Sequence, residues 1–139
     1  MATPEPQRTG TVAPAAWPSS VDIVESESRV LVFLDLPGMS SSAFKVEYAA
    51  NSPAGPPGGT LSVSGVRTRP ALQGKFRVIS SSRFAGPFAQ HITIPLQVEP
   101  ATLKASYRDG VLLIRIRKAA AVAAAKPAIK LNFGGNAGH

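Results

Sequence analysis

The chain contains no cysteine. No disulfide or thiolate-bound metal can therefore support the fold, and nothing calls for an oxidising compartment. A reducing cytoplasm is the expected setting. Acidic residues are also scarce: 8 Asp and Glu stand against 15 Lys and Arg, for a net charge of +7. That balance favours acidic partners through a long-range field. The cations are spread out, however, with Arg115, Arg117 and Lys118 the only three that fall within four residues. No aromatic residues interleave them as a base-stacking platform requires, so specific nucleic-acid binding is not expected. The first twenty residues, MATPEPQRTGTVAPAAWPSS, hold no continuous apolar segment, and neither a signal peptide nor a membrane span is expected.

The residues of catalysis are equally thin. Only two histidines occur, His91 within a strand-like stretch and His139 at the last position, so there is no His pair at metal-ligand spacing. His91 reads as a strand-face residue. Glu25 and Glu27 are the nearest carboxylates to a pair, and they sit in a polar turn that reads as solvated rather than as an acid–base dyad. Gly55-Pro56-Pro57-Gly58-Gly59 has neither the Lys nor the Ser/Thr of a nucleotide loop, and its prolines remove N–H donors. Ser80 to Ser82 have no partner base. No enzyme, metal site or cofactor is expected.

What the chain does have is punctuation. Its 13 prolines and 12 glycines cluster at the two ends and in the middle. Between the clusters, Val, Ile, Leu and Phe come in strand-length runs, shorter than the ten to twelve or so residues of a helix. At 139 residues one domain is expected. Residues 1–19 read as a disordered arm. A short strand from Val21, a polar break at Ser26 to Ser28 and a longer strand from Arg29 to about Asp35 follow. Val30 to Leu34 is continuously apolar, which predicts protein on both faces of that strand. Leu36-Pro37-Gly38-Met39 stops it.

Phe44-Lys45-Val46-Glu47-Tyr48 and Thr60-Leu61-Ser62-Val63-Ser64 alternate as half-exposed strands, separated by a Pro/Gly loop at 49–59. A basic polar loop spans 66–75. Phe76 to Ile79 and Phe84 to Pro95 read as two more strands, and a short connection containing Pro100 leads to the stretch ASYRDGVLLIRIRK, Ala105 to Lys118. Asp109-Gly110 supplies the positive φ of a two-residue hairpin. In the second arm Leu112, Ile114 and Ile116 share one face while Arg115 and Arg117 share the other. Seven or eight short strands without an amphipathic helix predict an all-β, immunoglobulin-like sandwich. Residues 119–139, rich in Ala, read as a flexible extension. Within it Ile129-Lys130-Leu131 places two large apolar side chains on one side of an extended segment. It reads either as a tail remnant or as a knob that adds to a sheet edge.

The pattern AxxxDGVL at Ala105 to Leu112, comprising Ala105, Asp109, Gly110, Val111 and Leu112, resembles the signature of the α-crystallin domain of small heat shock proteins. Asp35-Leu36-Pro37-Gly38-Met39 resembles the family's Leu-Pro-Gly turn, Gly86-Pro87-Phe88 through Ile94-Pro95 its Gly-x-Phe strand, and Ile129-Lys130-Leu131 its C-terminal I/V-x-I/L/V motif. The resemblance runs in register from about Val21 to Leu131. It implies an arm at 1–19, an α-crystallin domain at 20–118 and a C-terminal extension at 119–139. It further implies an ATP-independent holdase that binds unfolding client proteins, with a homodimer as the unit of larger homo-oligomers. In the bacterial and plant type a small strand is exchanged from a loop that corresponds to about Val66 to Phe76. Ile129 and Leu131 would enter a groove of another chain, formed along Phe44 to Tyr48 and Phe88 to Ile94 and lined by Val46, Ile92 and Ile94. Gln90 departs from the family, which usually carries Arg there. A β-sandwich interaction or co-chaperone module without holdase activity is the alternative.

Overall fold

A computed structural model of the chain describes Trp17 and residues 20–120. Seven strands run in order: β1 Val21–Glu25, β2 Arg29–Asp35, β3 Phe44–Ala50, β4 Gly59–Arg67, β5 Gly86–Ile94, β6 Val98–Arg108 and β7 Val111–Lys118. They form two antiparallel sheets, one ordered β1-β2-β7-β6 and one ordered β3-β4-β5. The all-β two-sheet sandwich expected from the sequence is the observed architecture.

Period-2 patterning builds the core. The register pairs Val30 with Ile116, Val32 with Ile114 and Leu34 with Leu112, so six inward side chains meet the opposite sheet as one layer. Leu61, Val63, Phe88, Ile92 and Ile94 face them from β4 and β5, and Leu36 joins from the turn after β2. Burying each of these side chains contributes about 1.5–3 kcal/mol relative to exposure. On the other face of β2, Leu31 and Phe33 are only half-buried. The continuous apolar run therefore has one fully covered face rather than two, because among the described residues no third layer lies over the four-stranded sheet.

Turn chemistry fixes the connections. Ser26 answers the polar break: its Oγ accepts the Arg29 N–H at 3.0 Å and its own N–H donates to the Arg29 carbonyl at 2.9 Å. Asp109 and Gly110 adopt φ of 54° and 77°, and Arg108 pairs with Val111 across them, which is the two-residue hairpin read from the sequence. Gly58, at φ 107°, passes so close to the Ile94 carbonyl that a Cβ would collide with it.

Two local expectations are corrected. Phe76 to Ile79 belong to no strand. β4 and β5 pair directly as far as Arg67 opposite Gly86, so residues 68–85 project as a loop outside the ladder. Pro100 lies inside β6 rather than in a connection. β6 is an edge strand, where a missing N–H is tolerated, and its register shifts between Glu99 and Lys104. The Thr102 hydroxyl bridges the irregularity, donating to the Glu99 carbonyl at 2.7 Å and accepting the Arg117 N–H at 2.9 Å.

Candidate functional site

Where the edges of the two sheets come together, β3 and β6 do not hydrogen-bond to each other. They enclose a cleft of 370 Å³ lined by Ser41, Phe44, Val46, Ala105, Ser106, Tyr107 and Leu112. The period-2 pattern points Phe44, Val46 and Tyr48 inward, yet all three stay half-buried while their β4 neighbours Leu61 and Val63 are fully buried. The difference is position: an edge strand has a covered neighbour on one side only. On the opposite wall Ala105 pairs with Ile114, and Tyr107 pairs with Leu112, so both face inward as well. Ala105 is nevertheless exposed, because its methyl group is too short to close the space before it.

Tyr107 is held from two sides. Its ring meets Phe44 edge-on, with centroids 5.3 Å apart at 63°, and its hydroxyl donates to the Leu36 carbonyl at 2.6 Å. That satisfies the polar tip of an otherwise apolar side chain and fixes one end of the cleft. The rim of β3 is charged, with Lys45 Nζ 2.9 Å from Glu47 Oε1. The hydrogen bond to Glu47 and then its charge raise the Lys45 pKa. Partial burial alone raises the Tyr48 phenol. The cleft thus offers an apolar floor and two main-chain edges that are unpaired among the described residues, which suits an extended segment.

The structure redistributes the residues expected to line a groove. Val46 lies on the β3 wall of the cleft. Ile92 and Ile94 do not, because β4 separates β5 from β3 and both side chains are buried in the core opposite Leu61 and Gly59. The second wall belongs to β6 instead, through Ala105 and Tyr107. Alternation alone could have found them, since Ala105 and Tyr107 continue the inward positions of the hairpin. Within the motif, Ala105 and Leu112 line the cleft, Asp109 and Gly110 make the turn, and Val111 starts β7. Ile129 and Leu131 lie outside the described residues. His91 is on the exposed face, 3.0 Å from the Ser62 hydroxyl across the β4–β5 ladder. Gln90 faces inward, and its Oε1 accepts no hydrogen bond among the described residues.

Arg67 was missed, because the sequence from Val66 onward reads as a basic loop. It continues the inward series Leu61, Val63, Gly65 at period 2, and that was the available signal. The residue is 9% exposed. Nε donates to the Pro37 carbonyl at 3.1 Å and Nη1 to the Phe84 carbonyl at 2.7 Å. It thereby ties the turn after β2 to the end of the 68–85 loop.

Comparison with known proteins agrees with this architecture. Residues 22–131 match the Hsp20/alpha crystallin family. The chain is 27% identical over 115 residues to heat shock protein 16 of Schizosaccharomyces pombe, covering 80% of this chain and 73% of that one. It is 26% identical over 111 residues to the 19.0 kDa class II heat shock protein of rice, covering 76% of this chain and 59% of the relative. Over 104 residues it is 30% identical to the 22.0 kDa heat shock protein of Arabidopsis thaliana, covering 75% of this chain and half of the relative. Among solved structures, a small heat-shock protein from Xylella fastidiosa, described as having a distinct high order structure, superposes with a TM-score of 0.57. The identity is 26%, over 87% of this chain and 100% of that one. The hspA protein of Xanthomonas axonopodis gives a TM-score of 0.55 at 28% identity, over 71% of this chain and 91% of that one. The AxxxDGVL hairpin, the sheet topology and these matches agree: the chain belongs to the Hsp20/alpha crystallin family of small heat shock proteins, non-enzymatic chaperones of the stress response.

Proposed function

We propose that this protein is an ATP-independent holdase that captures unfolding proteins in the cytoplasm and assembles from dimers into larger homo-oligomers. One observation carries the reading: the described residues leave apolar surface and sheet edges uncovered. Leu72, Phe76, Val78 and Ile79 on the 68–85 loop are all at least 69% exposed, and among the described residues β1, β3, β5 and β6 each keep one unpaired edge. An edge ladder beside apolar side chains is the requirement for adding an extended segment from another chain.

The parts divide the work as follows. Residues 1–19 act as the arm, 20–118 as the folded domain and 119–139 as the extension. The strand exchanged between the two chains of a dimer comes from the loop at about Val66 to Phe76, which carries the exposed Leu72 and Phe76. Ile129 and Leu131 of another chain enter the cleft between β3 and β6, against Val46, Ala105 and Leu112. Clients bind by burial of apolar surface, at about 25 cal/mol per Å² covered, and many weak sites on one particle multiply the affinity.

The test of the holdase activity is light scattering from a heat-labile client incubated with the full chain and no ATP. Suppressed aggregation supports the reading, and unchanged aggregation assigns the domain to an interaction module instead. Assembly is tested separately, by solution mass. The pair Ile129→Ala and Leu131→Ala shifts the particle toward dimers, and an unchanged mass removes the tail from the assembly.

A further inference from the structure

Trp17 is the only tryptophan in the chain, and it occupies a seat built from three other elements. Its ring stacks on Phe84 of the 68–85 loop, with centroids 5.0 Å apart and planes within 8°. It meets Phe88 of β5 edge-on at 5.4 Å and 79°. The Arg67 guanidinium carbon lies 5.0 Å from the ring centroid. Arg67 has no carboxylate partner among the described residues, and its two carbonyl contacts hold the guanidinium in place beside Phe84. The seat therefore offers a flat aromatic wall, an aromatic floor and a fixed cation, all of which favour an aromatic ring.

Among the described residues, the contacts that hold Trp17 are those of its ring. Its backbone makes no hydrogen bond to a described residue, and among the described residues the first main-chain tie ahead of β1 is at Ser20, whose carbonyl accepts the Asp35 N–H at 3.3 Å. The stacked and the edge-on contact each add to what burial of the ring contributes. Any other aromatic side chain could make the same contacts. Trp17 has the advantage of a tether only a few residues long, which gives an effective concentration on the order of millimolar.

We propose that this seat is a binding site for aromatic side chains of unfolding polypeptides, and that Trp17 is its built-in competitor. A visitor with a single ring loses to the tethered one. A chain presenting several aromatic residues to an oligomer displaces Trp17 and frees the segment that precedes β1. The choice of an unfolding polypeptide as visitor rests on the holdase reading; the seat and its competitor do not.

The experiment uses the full chain and two unstructured, Trp-free peptides, one carrying several Phe and one with each Phe replaced by Leu. The expected result is a saturable red shift of Trp17 emission and greater acrylamide quenching with the Phe peptide and not with the Leu peptide. Trp17→Ala, its fold checked by circular dichroism, binds the Phe peptide about tenfold tighter or better by isothermal titration calorimetry of both proteins, because the competing ring is gone. Emission unmoved at saturating Phe peptide overturns the proposal, as does affinity in Trp17→Ala that is unchanged or weaker. The emission readout needs no variant, so it decides the matter even if Trp17→Ala does not fold. Aggregation suppression by the wild-type chain is measured alongside. Suppression with unmoved emission retains the holdase and removes the seat, whereas a red shift without suppression retains the seat and removes the holdase.

Discussion

Phe44 and Tyr107 stand on the edge strands of different sheets, 63 residues apart in sequence, and meet ring edge to ring face at 5.3 Å. Their contact closes one end of the cleft between β3 and β6, and the Tyr107 hydroxyl anchors it to the Leu36 carbonyl. Tyr107→Phe keeps the ring contact and deletes the hydrogen bond. Stability is expected to fall by about 1 kcal/mol, measured as a lower urea midpoint at unchanged slope.

Ala105 keeps the cleft open by being small. Ala105→Leu fills the space in front of Val46 without adding a polar group. Because the position is exposed, global stability should change by less than about 0.5 kcal/mol. If the tail docks here, the solution mass falls toward that of a dimer, as it does for the paired substitution at Ile129 and Leu131. A large particle that persists in Ala105→Leu places the tail elsewhere.

Lys118 and Glu25 form an asymmetric pair. The Lys118 ammonium lies 2.7 Å from the Glu25 carboxylate, with side-chain exposures of 2% and 44%. Removing the acid strands a buried cation, whereas removing the cation leaves an acid that water can reach. Glu25→Ala is expected to cost about 2 kcal/mol, a value reduced for its exposure. Lys118→Met should stay within about 1 kcal/mol of the wild type. Chemical denaturation of the two variants and their double mutant measures the difference.

Gly110 adopts φ of 77° in the hairpin turn. Gly110→Ala forces a Cβ into the left-handed region and is expected to cost about 1–2 kcal/mol. Asp109→Asn, at φ 54°, suits the same turn and should be nearly neutral. Thermal unfolding distinguishes the two, with a clear drop in Tm only for the glycine variant.

The hairpin at Ala105 to Lys118, the break at Ser26 to Ser28 and the alternation in β3, β4 and β7 were legible because they depend on neighbours two to four residues apart. Period-2 patterning and turn chemistry are local, and they alone determined that the chain is an all-β sandwich. Identity of the partner strand is not local. Residues 86–94 alternate like any wall of a groove, yet β4 intervenes, and Ile92 and Ile94 belong to the core. The opposite wall is β6, whose inward Ala105 and Tyr107 look no different in sequence from core positions. Arg67 and Trp17 make the same point. In the chain one appears to begin a basic loop and the other to be a stray aromatic in an arm. Only the folded arrangement brings the guanidinium, Trp17, Phe84 and Phe88 together, because that contact requires the turn after β2, the 68–85 loop and β5 to converge. Alternation and turn residues were enough for β2, β3, β4 and β7, the Asp109-Gly110 turn and the family motif, but not for the irregular loop at Phe76 to Ile79 or the length of β6. The tertiary structure decided which strand edges remain free, which apolar side chains stay uncovered and what sits beside Arg67, since exposure depends on the whole chain and not on any one stretch of it.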